Sequence, residues 1–502
     1  MTAHTHSPPG DHHAPVHTDP GVLDANRRLG IASIVFLIIA ASAPLTVAAG
    51  GAPSAYAVSG MMGAPTGYLV LGVILVFFTV GYAAMSRKIT NSGAFYAYIS
   101  AGLGKRQGIA ASWLAFVSYN AMQIGLYGLF GFTFSSILHQ WTGLFIPWWV
   151  TALIGAFVVG LLGVSAIDLA VKVVSVLVVL EFITVIGFNI LAFAHAPEGI
   201  SAAPYAPENF FGVGTGTLLA FGIAAFMGFE SGTIYSEEAR EPERTVPIAT
   251  YTAVLIIALF YSFAAWALAQ GTGSSQIVAR SQEAGPDLMF NMLRDFGYAV
   301  AADIANVLFL TSLFAALIAF HNTVARYAMS LGREAVIPRF LARTSDKQAP
   351  VAGSLAQSAL AVFMIIVFAI FGMNSPLGEL YPVLTLFTWL TNAGAFGLVF
   401  LLVVTSVAVI GYFRGRSEEH SAWVRLIAPA IAALGLIYVF VMIMLNFDVM
   451  IGEEGPTTLV FVMPGIILLS GVAGFARGEY LRVKRPRVFD NIGSGNPAPF
   501  DD

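Results

Sequence analysis

The uncharged runs of this chain constrain its fold more than any other feature. Residues 29–86 contain no Asp, Glu, Lys or Arg, and neither do residues 107–167. About 20 apolar residues cross the roughly 30 Å hydrocarbon core of a bilayer, so each run is long enough for two crossings joined by a turn. The whole chain is 57% hydrophobic and only 10% charged. This composition indicates an integral membrane protein, because a water-soluble core cannot bury so many apolar side chains.

Further apolar segments continue the pattern toward the C-terminal end. Single crossings are predicted near residues 170–194, 212–236, 247–270, 298–325, 350–372, 381–412, 424–446 and 456–476. With the four crossings in the two long runs, they predict an all-α membrane protein with twelve transmembrane helices.

The remaining residues form two predicted tails. Residues 1–26 hold five of the nine histidines among Pro, Thr, Asp and Gly, and their low apolar content predicts a disordered segment. This segment lacks the apolar core of a signal peptide, so we expect it to stay uninserted; weak metal chelation by its histidines is a further option. The membrane domain is predicted over residues 27–480. Residues 481–502 form the second tail, expected to be loose from residue 486.

Basic residues predict the orientation in the membrane. Of the 24 Lys and Arg residues, only Arg280 and Arg294 fall in predicted loops on one side. Because basic loops are retained in the cytoplasm, the other side, with both termini, is predicted to be cytoplasmic. We therefore expect a multi-pass protein of the cell membrane. The absence of cysteine excludes disulfides and thiol-based metal sites.

Two apolar segments are interrupted by small residues and proline. The first reads IIAASAPLTVAAGGAP over residues 38–53, and the second reads AFMGFESG over residues 225–232. Gly and Pro release backbone groups from the helical ladder, which a membrane tolerates only where protein or a watery cavity satisfies them. The second segment also carries Glu230, and a charge near the bilayer centre costs roughly 2.5–3.5 kcal/mol on insertion scales. Paired interruptions of this kind indicate a transporter binding site, although packing kinks are the simpler alternative.

The positions of the interruptions predict an internal repeat. They fall in predicted helices 1 and 6, and a unit of five helices enters the membrane from opposite sides in its two copies. The sequence thus predicts an inverted 5+5 repeat, with a first copy at about 29–195 and a second at about 210–413. Two extra helices follow at about 424–476.

A helix broken within the membrane offers charge complementarity to a zwitterion. The free amides that begin its second half attract an anion, and the free carbonyls that end its first half attract a cation. The predicted break in helix 1 comprises Ser42, Ala43, Pro44, Leu45 and Thr46. The predicted break in helix 6 comprises Met227, Gly228, Phe229, Glu230 and Ser231.

Three further motifs resemble those of the amino acid, polyamine and organocation superfamily, whose fold is like that of the bacterial leucine transporter. Residues 90–113 resemble its signature between helices 2 and 3 and match it at Gly93, Tyr96, Tyr98, Gly104, Gly108 and Trp113, with Thr90 in place of Pro and Ala94 in place of Gly. SEEAREPERTVP, residues 236–247, is similar to the loop after helix 6. ARYAMSLGREAVIP, residues 325–338, is similar to the end of helix 8, with Glu334 and Ala335 where Asp-Gly is usual.

The resemblance implies a substrate site at the two breaks. It places the substrate carboxylate at Ser42, Ala43 and Thr46, and the amino group near Gly228, Phe229 and Ser231. Phe229 and Glu230 match the aromatic residue and the glutamate of the family motif, and Glu230 is expected to link substrate, backbone and gate.

Other polar residues are candidates for ion coupling or gating. Glu181 lies where proton-coupled relatives can carry a lysine that replaces a bound sodium ion; it either binds a proton or cation or pairs with a basic neighbour. Thr311 and Ser312 lie where sodium-coupled relatives place hydroxyl ligands, although Thr and Ser also serve helix packing. Trp389 and Asn392 are candidate gate or pocket residues.

These features predict a secondary active transporter that moves an amino acid by alternating access, with proton coupling favoured over sodium coupling. No metal, cofactor or nucleic acid is expected; the partners are an amino acid or amine, a proton or sodium ion, and the lipid bilayer. A polyamine or other amine transporter and an amino acid exchanger are the nearest alternatives, and a substrate sensor that uses the same fold is another. A membrane enzyme is disfavoured, because there is no Cys or HExxH motif and the histidines are scattered.

Overall fold

The computed structural model describes residues 29–89, 93–164, 167–345, 349–416, 418, 420–452 and 458–499, with no side chains described for 167–171. The predicted N-terminal tail, residues 1–26, and Thr90 of the first motif lie outside the described residues. Long helices make up most of the described chain.

The first half of the chain contains nine of the helices that we number. They are α1 Ile31–Ser42, α2 Pro44–Thr46, α3 Ala52–Ser59, α4 Ala64–Ser86, α5 Phe95–Leu103, α6 Lys105–Thr142, α7 Trp148–Gly163, α8 Ile167–Ala194 and α9 Pro207–Phe210. A π-helical turn, Val47–Gly51, joins α2 to α3.

The second half contains the remaining eleven numbered helices. They are α10 Thr215–Ala224, α11 Pro242–Thr272, α12 Ile277–Ala284, α13 Leu288–Asp295, α14 Ala299–Arg333, α15 Val351–Gly372, α16 Thr388–Phe413, α17 Ala428–Leu445, α18 Phe447–Met450, α19 Leu459–Lys484 and α20 Pro486–Asn491. A 3-10 helix, Phe229–Tyr235, follows α10.

Eleven helical segments of the described chain are long and apolar enough to cross a membrane. They lie where eleven of the twelve crossings were predicted, and several are longer than predicted. The remaining predicted crossing, the second in residues 107–167, corresponds to α7, which is apolar but only 16 residues long. The protein is therefore an all-helical, multi-pass membrane protein.

The first predicted interruption lies at Ala43, between α1 and α2. Ala43 adopts a left-handed conformation (φ 51°), and its N–H closes α1 by donating to the carbonyls of Ile39 and Ala40. Pro44 has no N–H and begins the next helical segment, a position that suits its fixed φ. The chain then continues in the same membrane span as far as Ser59.

The second interruption separates α10 from the 3-10 helix at Phe229–Tyr235. Gly228 has a φ of 101°, which side chains with a Cβ rarely adopt. A Cβ atom at this position would lie 2.5 Å from Cβ of Ala41 in α1. Glycine is thus required both by the backbone conformation and by the approach of the two interrupted segments.

The C-terminal tail is folded against the membrane domain, which corrects the expectation of a loose segment. Helix α19 extends to Lys484, and α20 follows at once. Backbone N–H groups of Gly493 and Gly495 donate to the buried carboxylate of Glu334, just beyond α14. We call this side of the molecule the terminal face; it comprises Leu29, residues 236–241, the end of α14 and residues 485–499.

Candidate substrate-binding site

The two interruptions meet in the interior of the protein. Ser42 Oγ, at the end of α1, donates a 2.8 Å hydrogen bond to the carbonyl of Ala225, which follows α10. Tyr261 of α11 contacts the same hydroxyl and donates to the Ser42 carbonyl over 3.2 Å. The carbonyls of Ser42 and Ala225 are therefore linked through the contacting hydroxyls of Tyr261 and Ser42, although the two residues are 183 apart in sequence.

Glu181 of α8 caps the second half of predicted helix 1, which begins at Pro44 and runs to Ser59. Its Oε2 accepts from the backbone N–H of Leu45 at 3.2 Å and from the hydroxyl of Ser312 at 2.7 Å. The side chain is fully buried (0% exposed), and its Oε1 has no hydrogen-bond partner among the described residues. A carboxylate at the start of a helical segment is stabilised by the free amides there. Glu181 thus occupies the Leu45 amide, which lies within the predicted break of helix 1 and next to Thr46, one of the residues predicted to bind a substrate carboxylate.

Ser312 completes this arrangement from α14. Its Oγ accepts from the N–H of Thr46 at 3.3 Å and lies 3.1 Å from the Thr46 hydroxyl. Thr311, the adjacent residue, instead donates to the Leu308 carbonyl of its own helix at 2.9 Å. The structure therefore brings Ser312, Glu181 and Thr46 together and places Thr311 outside the cluster.

Glu230 is buried (1% exposed) and forms a second carboxylate cap at the break of predicted helix 6, which lies between α10 and the 3-10 helix Phe229–Tyr235. Its Oε2 accepts from the backbone N–H of Gly228 at 3.0 Å, and its Oε1 accepts from the hydroxyl of Tyr119 in α6 at 2.7 Å. Tyr82 of α4 donates to the Glu230 carbonyl at 2.9 Å. These contacts link Glu230 to the backbone of the break.

The neighbouring residues shape the same region. Ser231 donates its hydroxyl to the Gly228 carbonyl at 2.6 Å, and the same carbonyl accepts from the Ser231 backbone N–H at 3.0 Å. Phe229 is fully buried, and its ring meets that of Phe78 edge-on with a centroid distance of 5.6 Å. The ring therefore forms part of an apolar wall between α4 and the break.

Trp389 and Asn392 lie apart from this cluster. Trp389 Nε1 donates to the Ile451 carbonyl at 3.1 Å, and Asn392 Nδ2 donates to the Met450 carbonyl. Both contacts fasten α16 to the end of α18. The structure does not bring these two residues to the breaks.

Two tyrosines that complete the site, Tyr119 and Tyr261, were not predicted from the sequence. Both are buried within membrane spans, where a hydroxyl has to find a protein partner. Tyrosine within an apolar segment was the available signal, but sequence alone does not reveal its partner. A buried network was also not predicted from the sequence: His321 Nε2 lies 2.7 Å from Ser354 Oγ, and Gln123 contacts both His321 and Gln357.

Two ion pairs on the terminal face join α14 to the segment that follows the second break. Arg326 of α14 pairs with Glu238 at 3.0 Å, and Arg333 pairs with Glu237 at 3.1 Å. Burial raises the pKa of the Glu238 carboxyl above its ordinary value, while the Arg326 guanidinium opposes that shift. Leu29 and the 236–241 segment exchange backbone hydrogen bonds, from Leu29 N to the Glu238 carbonyl and from Arg240 N to the Leu29 carbonyl. These contacts hold the start of helix 1 against the end of helix 6.

Known permeases are similar to this chain along most of its length. The branched-chain amino acid permease BcaP of Lactococcus lactis subsp. cremoris is 24% identical over 74% of this chain and 79% of its own length. L-asparagine permease 1 of Mycobacterium tuberculosis is 23% identical over 86% of both chains. The gamma-aminobutyric acid permease of Bacillus subtilis is 26% identical over 69% of this chain and 71% of its own.

A solved structure shares the fold of this chain, and a family model shows its family. A mutant of the manganese transporter of Eremococcus coleocola superposes with a TM-score of 0.52, covering 90% of this chain and 95% of that one. At 13% identity this likeness shows a shared fold and carries nothing about the transported species. The family model described as "Amino acid permease" matches residues 34–488. The chain therefore belongs to the amino acid permease family, within the amino acid, polyamine and organocation superfamily, and is a transporter rather than an enzyme.

Proposed function

We propose that this protein is a proton-coupled amino acid permease of the cell membrane that works by alternating access. The observation that carries the proposal is the position of Glu181, whose carboxylate accepts from the Leu45 amide and the Ser312 hydroxyl at the break of helix 1. The amino acid permeases among its relatives support an amino acid as the substrate.

The proposed mechanism exchanges one carboxylate for another. Protonation of Glu181 removes its negative charge and weakens its hold on the Leu45 amide, because hydrogen bonds to ionised acceptors are roughly twice as strong as neutral ones. The substrate carboxylate then takes the amides of the second half of helix 1, near Ala43 and Thr46. Proton and substrate bind together, since neither a second carboxylate nor an uncapped helix start is stable in the buried site.

The substrate ammonium group is assigned to the break of helix 6. The carbonyls near Gly228, the hydroxyl of Ser231 and the carboxylate of Glu230 are the acceptors there, and Phe229 supplies an apolar contact. Glu230 is already held by Tyr119 and Gly228. It therefore serves as a fixed negative charge that links the substrate to the segment leading to the terminal face.

The same proposal includes the finer topology. Helix α7 is assigned as the twelfth crossing, two five-helix repeats of opposite orientation surround the breaks, and the terminal face is cytoplasmic. The basic residues on the terminal face support this orientation. Alternating access then corresponds to separation of α1 and the 3-10 helix Phe229–Tyr235 from α8 and α14 on one side at a time.

Transport by purified protein in liposomes tests the coupling. An inward proton gradient at symmetric sodium is expected to stimulate uptake of a bound amino acid, and Glu181→Gln is expected to lose that stimulation while still exchanging substrate. Glu379→Gln, an exposed carboxylate outside the site, is the matched control. Stimulation by a sodium gradient alone, or full proton stimulation in Glu181→Gln, would contradict the assignment.

A second candidate substrate is an amine without a carboxylate. It is favoured by one observation: the Leu45 amide is already occupied by Glu181, so such a substrate needs no free amide. Thermal-shift measurements on amino acids and their decarboxylated counterparts separate the candidates. Preference for the amino acids supports the carboxylate exchange, whereas equal or tighter binding of the amines supports an amine transporter.

A further inference from the structure

The C-terminal tail is bound to the terminal face as an ordered element. Val488, Ile492 and Ala498 are buried, at 0%, 4% and 6% exposed. Lys105, at the start of α6, donates to the Asp490 carbonyl at 2.5 Å and packs over the Phe489 ring. The tail therefore contributes apolar side chains to the core at the end of the membrane domain.

A buried carboxylate holds the turn at the centre of the tail. Glu334 is 0% exposed, and its two oxygens accept from the N–H groups of Gly493 and Gly495, the latter at 2.8 Å. Tyr96 of α5 donates its hydroxyl to the same carboxylate. Both glycines are left-handed (φ 83° and 76°), which turns their amides toward one point and forms a cradle for an anion. The tail is thus attached through its backbone to a charge that the membrane domain supplies.

Arg333 connects the tail to the segment after helix 6. Its backbone carbonyl accepts from the N–H of Ala498 at 2.9 Å, and its guanidinium donates to the Gly495 carbonyl at 3.3 Å. The same guanidinium pairs with Glu237 at 3.1 Å. One residue at the end of α14 therefore contacts both the tail and the 236–241 segment, which is itself joined to Leu29.

We propose that the C-terminal tail is a latch that stabilises the closed state of the terminal face. Opening this face requires Leu29 and residues 236–241 to move away from α14, and the tail restrains Arg333, which holds that segment through Glu237. Release of the tail from Glu334 therefore favours the open state. The inference rests on the alternating access of the proposed function, but not on its substrate or its coupling ion.

Single cysteines report the two parts of this inference, because the chain contains no native cysteine. Ala498→Cys reports release of the tail, and Ala239→Cys, at a fully buried position on the terminal face, reports its opening. Each is combined with Glu334→Gln or with Gly495→Ala, which strains the cradle from the tail side. Glu479→Gln is the matched control. It removes a carboxylate of α19 that pairs with Arg106 of α6 and with Arg482 of α19.

Maleimide labelling rates are measured on the full-length protein without substrate, and thermal unfolding verifies that each variant is folded. Glu334→Gln and Gly495→Ala are expected to accelerate labelling at both reporters by roughly tenfold, since each weakens charge-assisted contacts. The control is expected to label at the parental rate. Unchanged labelling of Ala498→Cys in a folded variant refutes the cradle. Faster labelling there with unchanged labelling of Ala239→Cys refutes the latch and leaves the proposed transport function intact.

Discussion

Gly228→Ala tests whether the break of helix 6 needs glycine. Gly228 has a φ of 101°, and an alanine Cβ would lie 2.5 Å from Cβ of Ala41. A left-handed residue with a Cβ costs about 1–2 kcal/mol, and overpacking in a close contact costs about 1–3 kcal/mol. Together these terms predict a loss of about 2–5 kcal/mol. Even the lower value lowers the equilibrium constant between the native break and alternative conformations by roughly 30-fold.

The two terms can be separated in a double-mutant cycle with Ala41→Gly. Removal of the Ala41 Cβ leaves the new Cβ at ordinary contact distance from the Ala41 backbone, 3.7 Å from its Cα. The double mutant is therefore expected to recover the steric part of the loss and to retain the backbone part, after correction for the single Ala41→Gly variant.

Uptake into liposomes and thermal unfolding of purified protein provide the measurements. Gly187→Ala is the matched control, because Gly187 lies within α8 and a Cβ there would have no heavy atom within 4 Å. That control is expected to keep full uptake and to unfold at the same or a slightly higher temperature. Wild-type uptake and unfolding in Gly228→Ala would refute the requirement for a left-handed glycine at this break.

Two further predictions concern the hydroxyls of Ser312 and Thr311 and the carboxyl of Glu238. Ser312→Ala is expected to destabilise the protein by about 1–3 kcal/mol and to weaken gradient-driven uptake, because it removes the hydroxyl that donates to Glu181 at 2.7 Å. Thr311→Ala is expected to change neither property strongly, since that hydroxyl bonds to Leu308 of its own helix; equal effects of the two variants would contradict the assigned geometry. Because burial raises the pKa of Glu238, its contribution to stability is greatest at low pH and is lost as the pH rises through the folded-state pKa. In a thermal-shift series across pH, the stability of the wild type relative to Glu238→Gln is expected to fall with rising pH in that window, and a rise would contradict the assignment.

Local features of the sequence determined the helical membrane architecture and the positions of both breaks. Span length follows from hydrocarbon thickness, and an interruption follows from local backbone chemistry at Pro44 and Gly228, so neither requires knowledge of distant partners. The charge of Glu230 within an apolar segment likewise identified a functional candidate before any contact was known.

The tertiary structure alone decided which polar groups meet. Thr311 and Ser312 are adjacent in sequence, yet successive residues of a helix differ by about 100° in direction, and helix packing selected Ser312. The Leu45 amide and Glu181 are 136 residues apart, and the tail amide of Gly493 and Glu334 are 159 residues apart. A buried donor bonds to whichever acceptor the packed helices bring within hydrogen-bonding distance, because an unpaired group in the membrane interior is costly. Pairings between distant segments therefore depend on how the helices assemble, which hydrophobic periodicity and local motifs do not encode.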